Sequence, residues 1–103
     1  MITKFTKDTW GQHASFLDSQ DREVTEEQAE RCCLGAWMGL LFRTVEKETE
    51  YETLRYRTKN IISQKYPAVG RSIVDFNDAP SRTWEQVEDV CREAGIPMEL
   101  PGV

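Results

Sequence analysis

The stretch TEEQAERCCLGAWMGLLFR, residues 25–43, decides the fold because it predicts the central helix of the chain. Thr25 and Gln28 form a capping-box pattern, so we expect the helix to begin at Glu26. Apolar residues then recur at three- and four-residue steps as far as Arg43, which is typical of one buried helical face. This face consists of Ala29, Cys33, Ala36, Trp37, Leu40 and Leu41.

Small residues form a second stripe on the same predicted helix. Glycine inside a helix costs about 0.5 to 1 kcal/mol relative to alanine, so two glycines here indicate the close approach of a neighbouring element. We expect the N-terminal hairpin or the last helix to pack on this stripe. The stripe consists of Cys32, Gly35, Ala36 and Gly39.

The residues before this stretch predict a short β-hairpin. Poor helical periodicity marks residues 9–25, and the turn-forming cluster DSQD lies between two segments with some β character. We expect Trp10, Ala14 and Phe16 on the buried side of the hairpin.

A second helix is predicted after the stretch, in residues 46–65. Its acidic residues come early and its basic residues late, which complements a helix dipole, and Thr49 with Glu52 offers a second capping box. Pro67 limits its continuation. The early acids are Glu46, Glu48, Glu50 and Glu52, and the expected buried side is Tyr51, Leu54, Thr58, Ile61 and Ile62.

Two further helices are predicted near the C-terminal end. We expect a short helix in 70–76, a connector at NDAP, and a last helix that begins after Thr83, which forms a capping box with Gln86. Its apolar stripe ends at Gly95, and residues 96–103 are expected to be extended.

These patterns predict a mainly α fold, with three to four helices and a short N-terminal β-hairpin. At 103 residues, 39% of them hydrophobic, the chain has enough apolar surface for one core. We expect a single domain over 1–103. It divides into an N-terminal segment with the hairpin (1–24), the helices (25–95) and a tail (96–103).

Composition narrows the function classes. Thirteen basic against 18 acidic residues give a net charge of −5, which disfavours direct binding to nucleic acid but permits a partner with a basic surface. Three cysteines, two of them adjacent, indicate reduced thiols and a cytoplasmic protein. The longest apolar run is far shorter than the roughly 20 residues of a membrane span, so we expect no membrane insertion.

Catalytic patterns are weak in this sequence. A nucleophilic arrangement would need Cys32 or Cys33, the single histidine His13, and Asp78, but cysteines on the inner face of a helix are usually small core residues. A metal site built from these thiols, Cys91 and His13 lacks the usual ligand spacing. We expect no catalytic residue, no metal and no cofactor.

Asn77 and Asp78 precede the last predicted helix. A left-handed conformation at Asn77 and backbone hydrogen bonds accepted by Asp78 would turn the chain into that helix. We favour this structural role over contact with a ligand or partner.

In sequence order, the chain contains Trp10 and Gln12, then Cys32, Gly35 and Ala36, then the Asn77–Asp78 pair and Thr83. This order resembles an uncharacterised family of small bacterial and phage proteins, a domain of unknown function. The family pattern is a Trp-x-Gln hairpin, a Cys-x-x-Gly-Ala helix and an Asn-Asp corner. The resemblance implies this architecture and a setting in bacteria or mobile elements, and it implies no mechanism.

Our leading functional hypothesis is a small non-enzymatic interaction protein of phage or mobile-element type in the bacterial cytoplasm. It would bind and occlude a host protein or nucleoprotein complex with a basic surface, such as a CRISPR-like defence complex. Its candidate contacts are Glu46, Glu48, Glu50 and Glu52, although a solvated helix also explains these acids. The alternative is a small enzyme or ligand-binding domain with a polar pocket around His13, Asn77 and Asp78, and a third hypothesis is a self-associating structural protein.

Overall fold

Four α-helices and one two-stranded antiparallel sheet make up the part of the chain that the computed structural model describes, residues 2–43 and 48–101. This architecture confirms the predicted mainly α fold with a short N-terminal hairpin. The elements are β1 (Phe16–Leu17), β2 (Arg31–Cys32), α1 (Leu34–Phe42), α2 (Glu48–Lys65), α3 (Ile73–Asp78) and α4 (Trp84–Ala94). Short 3-10 turns lie at Glu26–Gln28 and Pro67–Val69.

The central helix begins later than the sequence predicts. Thr25 makes no side-chain cap, and Glu26 to Gln28 form only a 3-10 turn. The chain then extends into β2, where Phe16 pairs with Cys32 and Leu17 with Arg31. The predicted start at Glu26 is therefore wrong, because residues 31 and 32 are committed to strand pairing and are not free to continue a helix.

Cys33 marks the true start of α1. It is the N-cap residue, and its Sγ accepts a hydrogen bond from the backbone N–H of Ala36 at 3.4 Å. From Cys33 onward, α1 agrees with the apolar face predicted for the central helix, since Trp37, Leu40 and Leu41 are all buried.

The stripe of small residues has a different neighbour from the one predicted. A Cβ at Gly35 would lie 3.9 Å from Ile73 Cγ2 of α3, which is ordinary van der Waals contact, and a Cβ at Gly39 would meet nothing within 4 Å. Helix α3 thus packs near this stripe, in place of the expected hairpin or last helix. No neighbouring element comes so close to Gly35 or Gly39 that the Cβ of a larger residue would be excluded.

Helix α2 buries the side that its periodicity predicts. Thr58, Ile61 and Ile62 are buried, and Tyr51 and Leu54 are partly buried against the core. Thr49 lies inside the helix, which begins at Glu48, so the second predicted capping box is wrong.

The C-terminal elements agree with the predictions more closely. The short helix α3 occupies Ile73–Asp78 and is capped by Ser72. In α4, Thr83 and Gln86 form the predicted capping box, and Gly95 ends the helix at φ 77 in the left-handed region. Only glycine adopts that conformation without steric cost.

The tail packs on the N-terminal segment. Phe5 N–H donates to Met98 O at 2.8 Å, and Leu100 N–H donates to Thr3 O at 2.9 Å. Ile96 and Leu100 are buried in the same core as the helices. The two ends of the described chain therefore close one core together.

The largest buried side chains of this core come from separate parts of the chain. Phe5 stacks on Trp37 at 5.4 Å between ring centroids and meets Trp84 edge-on at 5.2 Å, while Phe76 is fully buried.

None of the described helices has the length and apolar character that crossing a membrane requires.

Candidate functional site

Asn77 is the polar centre of the molecule and is fully buried. Its Oδ1 accepts hydrogen bonds from Trp10 Nε1 at 2.8 Å and from the backbone N–H of Leu34 at 2.9 Å. Its Nδ2 donates to Gly11 O at 3.0 Å and to Asp78 Oδ1 at 2.9 Å. All four hydrogen-bonding positions of the amide are thus occupied by the protein itself.

The neighbours of Asn77 extend this arrangement to the surface. Gln12 Nε2 donates to the carbonyl oxygens of Asn77 at 2.9 Å and Ala79 at 3.1 Å, and the backbone N–H of His13 donates to Asp78 Oδ1 at 2.9 Å. We call the set Trp10, Gln12, His13, Asn77 and Asp78 the Asn77 junction. The junction fastens the N-terminal segment to the end of α3 and the start of α1.

The predicted local roles of Asn77 and Asp78 are wrong in detail. Asn77 lies within α3, and the non-glycine residues with positive φ among those described are His13 (φ 74) and Asp21 (φ 60). Asp78 accepts from His13, far away in sequence, whereas Thr83 caps α4. The pair serves long-range docking rather than a local turn.

Arg82 holds the loop between α3 and α4, and no sequence pattern pointed to it. Its guanidinium lies 4.1 Å from the ring centroid of Phe76 and 4.3 Å from that of Tyr66. Its Nε donates to Phe76 O at 2.7 Å and its Nη1 to Gln86 Oε1 at 3.0 Å. Partial burial lowers the pKa of Arg82, and the aromatic faces favour its cationic form.

A depression of about 280 Å³ lies beside the junction, and we call it the His13 depression. His13, Cys33 and Asp78 line it, so three of the residues considered for catalysis share one surface. Cys32 is buried in β2 and does not line it. The other lining residues are Ala14, Ser15, Glu23 and Val74.

The chemistry of this depression does not favour a nucleophile. Burial raises the pKa of the Cys33 thiol, and the Asp78 carboxylate raises it further, against the lowering effect of backbone N–H groups at the start of α1. Burial also raises the pKa of Cys32, and it raises that of Cys91 to about 12. The thiolate is the reactive form of cysteine, so a raised pKa disfavours a nucleophilic role for all three thiols.

A second concavity, of about 390 Å³, is mainly apolar. We call it the apolar groove. It lies between the end of α1, the first half of α2 and the segment after α4. Its apolar walls are Leu41, Phe42, Tyr51, Leu54, Pro97 and Pro101.

The predicted acidic residues do not form one face. Glu50 lines the apolar groove, whereas Glu52 is exposed and follows it by two residues, which places it about 200° around the helix axis. Glu46 lies outside the described residues. Glu48 is the first residue of α2, and its side chain also lies outside what the structure describes.

Among the described residues, no group of three or more His, Cys, Asp or Glu side chains is arranged to hold a metal ion.

Comparison with known families gives one match, which covers residues 4–95. The chain belongs to the DUF6197 family. This is a family of unknown function, so the predicted membership of an uncharacterised family is confirmed at that level. No curated protein and no solved structure matches the chain significantly.

The DUF6197 match includes the whole Asn77 junction and most residues of the apolar groove. In this member of the family, Trp10 and Gln12 bind the backbone and side chain of residues at the end of α3. In this chain the pairs Trp10–Gln12 and Asn77–Asp78, far apart in sequence, are thus two halves of one structural contact.

Proposed function

We propose that this DUF6197 chain is a small non-enzymatic protein-binding domain that engages its partner through the apolar groove. The observation that carries the proposal is the composition of the groove. Apolar and aromatic side chains form its walls, and Phe42 keeps 38% of its surface exposed. Concave apolar surfaces of this kind are typical of binding sites, because covering them releases water from apolar surface.

The size of the groove favours protein side chains as its ligand. Sites for small molecules and cofactors range from about 300 to 1,000 Å³, and a groove of about 390 Å³ lies near the lower limit. Two or three aliphatic side chains of a partner suit this volume better than a large cofactor.

The setting forms a further part of the proposal. A bacterial cytoplasm, an origin in phage or a mobile element, and occlusion of a host protein such as a CRISPR-like defence complex are consistent with an acidic chain and three free cysteines. Occlusion by a small domain requires a contact surface and no catalytic group.

A second candidate is ligand binding at the His13 depression. His13 adopts φ 74, which is uncommon for a residue with a side chain, and its neighbours in the depression include Asp78 and Cys33. Unusual backbone conformations cluster at functional sites, and this observation favours the depression specifically.

Two matched substitutions separate these candidates. Phe42 lies in the groove and Val74 in the His13 depression, and both are large apolar residues with 38% and 60% of their surface exposed. Phe42→Glu and Val74→Glu each add one charge to one surface. Circular dichroism and the thermal unfolding midpoint check that both variants fold.

The experiment captures partners of the tagged protein from bacterial lysate and identifies them by mass spectrometry. A purified partner is then titrated against the wild type and both variants. Loss of binding in Phe42→Glu, with binding kept in Val74→Glu, supports the groove. The reverse pattern overturns it in favour of the depression, and the absence of any specific partner overturns the protein-binding proposal.

A further inference from the structure

The apolar groove has a charge preference that follows from its two charged side chains, Glu50 and Arg57. Arg57 Nη1 donates to Ala94 O at 3.0 Å, near the end of α4. The guanidinium is thus held by a helix-terminal carbonyl, where a cation is favoured by the helix dipole.

Glu50 has no such restraint. It is exposed, and its carboxylate makes no ion pair or hydrogen bond within residues 2–43 and 48–101. Arg57 stays cationic, but Glu50 is the charged side chain of the groove that is free to pair with an incoming group, and the net charge of −5 favours a cationic ligand at longer range.

The shape of the groove sets the length of its ligand. Helix α2 contributes Thr49, Glu50, Tyr51, Thr53, Leu54 and Arg57, which all lie between positions 49 and 57. Eight residue steps cover about 12 Å, or about two helical turns. A ligand that follows this wall presents apolar side chains over the same two turns.

From these three observations we infer that the groove binds an amphipathic basic segment of a partner protein. Two or three apolar side chains of the segment fill the groove, and a Lys or Arg beside them pairs with Glu50. This inference rests on the proposed function and adds the chemistry of the partner. Helix-in-groove recognition commonly combines apolar anchors at this spacing with charge complementarity around them.

A pair of synthetic peptides tests the inference directly. One labelled 14-residue peptide carries Leu at helical i, i+3, i+4 and i+7 spacing with Lys between, and its match carries Glu in place of every Lys. Fluorescence anisotropy measures binding to the full chain at low and moderate salt. We expect the Lys peptide to bind at least about tenfold more tightly, with the difference shrinking as salt increases.

Glu52 supplies the control for nonspecific charge attraction. Glu50→Gln and Glu52→Gln change the net charge equally, but only Glu50 lines the groove. We expect Glu50→Gln to weaken Lys-peptide binding about two- to fivefold, as removal of an exposed ion pair would, and Glu52→Gln to leave it unchanged.

Three outcomes overturn the inference. Equal weakening by both variants would mean that net charge alone attracts the peptide, and equal binding of both peptides would mean that the groove selects no charge. Self-association in sedimentation analysis that Phe42→Glu abolishes would assign the groove to a second copy of the chain. None of these results contradicts the capture of a protein partner from lysate. The inference about a basic segment can therefore fail while the proposed protein-binding function stands.

Discussion

The Asn77 junction and the apolar groove differ in how many of their side-chain groups find partners within the protein. In the junction, one buried amide uses every donor and acceptor position on partners within the chain. In the groove, Phe42 keeps 38% of its surface exposed, and the Glu50 carboxylate has no partner among the described residues. The Trp10–Gln12 and Asn77–Asp78 pairs therefore meet in a satisfied structural contact, whereas the apolar groove includes only Glu50 of the residues that the sequence analysis proposed as sites.

The largest effect expected from this comparison is that of Asn77→Ala. The substitution leaves the buried Leu34 N–H and Gly11 O, and the partly buried Trp10 indole N–H, without the Asn77 amide, and an unsatisfied buried group costs about 1 to 3 kcal/mol. We expect the free energy of unfolding to fall by about 3 kcal/mol or more. Chemical denaturation followed by tryptophan fluorescence measures it.

Asp78→Ala is the comparison for that variant, because Asp78 is only partly buried and accepts through one oxygen. We expect Asp78→Ala to lower the free energy of unfolding by clearly less than Asn77→Ala does. An Asn77→Ala protein as stable as the wild type would break the contrast between junction and groove.

Trp10→Phe should have an intermediate effect. It removes the indole N–H that donates to Asn77 Oδ1, while Leu34 N–H keeps that oxygen partnered. We expect a loss of about 1 kcal/mol, typical of one hydrogen bond. A double-mutant cycle with Asn77→Ala checks the assignment, since additive effects would mean that the two residues do not interact.

Glu50→Gln should change stability little. With no partner for the carboxylate among the described residues, we expect a change within about 0.5 kcal/mol, the usual range for a surface position. Chemical denaturation of the Glu50→Gln and Glu52→Gln variants in parallel measures this change in the free energy of unfolding. A loss above about 1 kcal/mol would give Glu50 a structural role and remove the contrast with the junction.

Asp18 tests how much the hydrogen bonds of a partly buried carboxylate at the surface stabilise the fold. Its side chain accepts from the backbone N–H groups of Arg22 and Gln20, each at 2.9 Å, and these bonds lower its pKa, with the Arg22 backbone as the largest cause. A lowered pKa stabilises the fold above the unfolded-state value of 3.8, and the contribution is lost as pH falls through the folded-state value.

We therefore expect Asp18→Asn to lower the unfolding midpoint slightly at pH 7, with the difference shrinking as the pH falls through the folded-state pKa. Asparagine keeps the Oδ1 acceptor but replaces Oδ2, which accepts from Arg22 Nε at 2.8 Å, so the loss includes this charge-assisted hydrogen bond. A difference that stays the same at all pH values would contradict the assignment.

Local signals predicted the elements that depend on local contacts. Helix α4 agrees with its capping box and its C-terminal glycine, because Thr83, Gln86 and Gly95 act within one or two turns. The same type of signal failed at Thr25. There, strand pairing of Cys32 with Phe16 prevails over a helical start, and no pattern within residues 25–43 reports that distant contact.

The candidate site was predictable only in part. The sequence singled out His13, Asn77 and Asp78, and the structure brings all three together. Apart from the adjacent Asn77–Asp78 pair, however, their side-chain hydrogen bonds join residues 43 or more positions apart. The apolar groove is formed by three separate segments, and the position of the Arg82 side chain depends on two aromatic rings. No periodic pattern in the sequence predicts either feature.

The pairing of Thr3 and Phe5 with Leu100 and Met98 has a consequence for folding during synthesis. A ribosome releases the N-terminal segment first, yet its hydrogen-bonding partners at residues 77 and 98–100 emerge much later. The Phe5 N–H and the Trp10 indole N–H therefore find these partners only after those residues have been made. Contacts that span so much of the sequence slow folding, so the native core is complete only once residue 100 has left the ribosome.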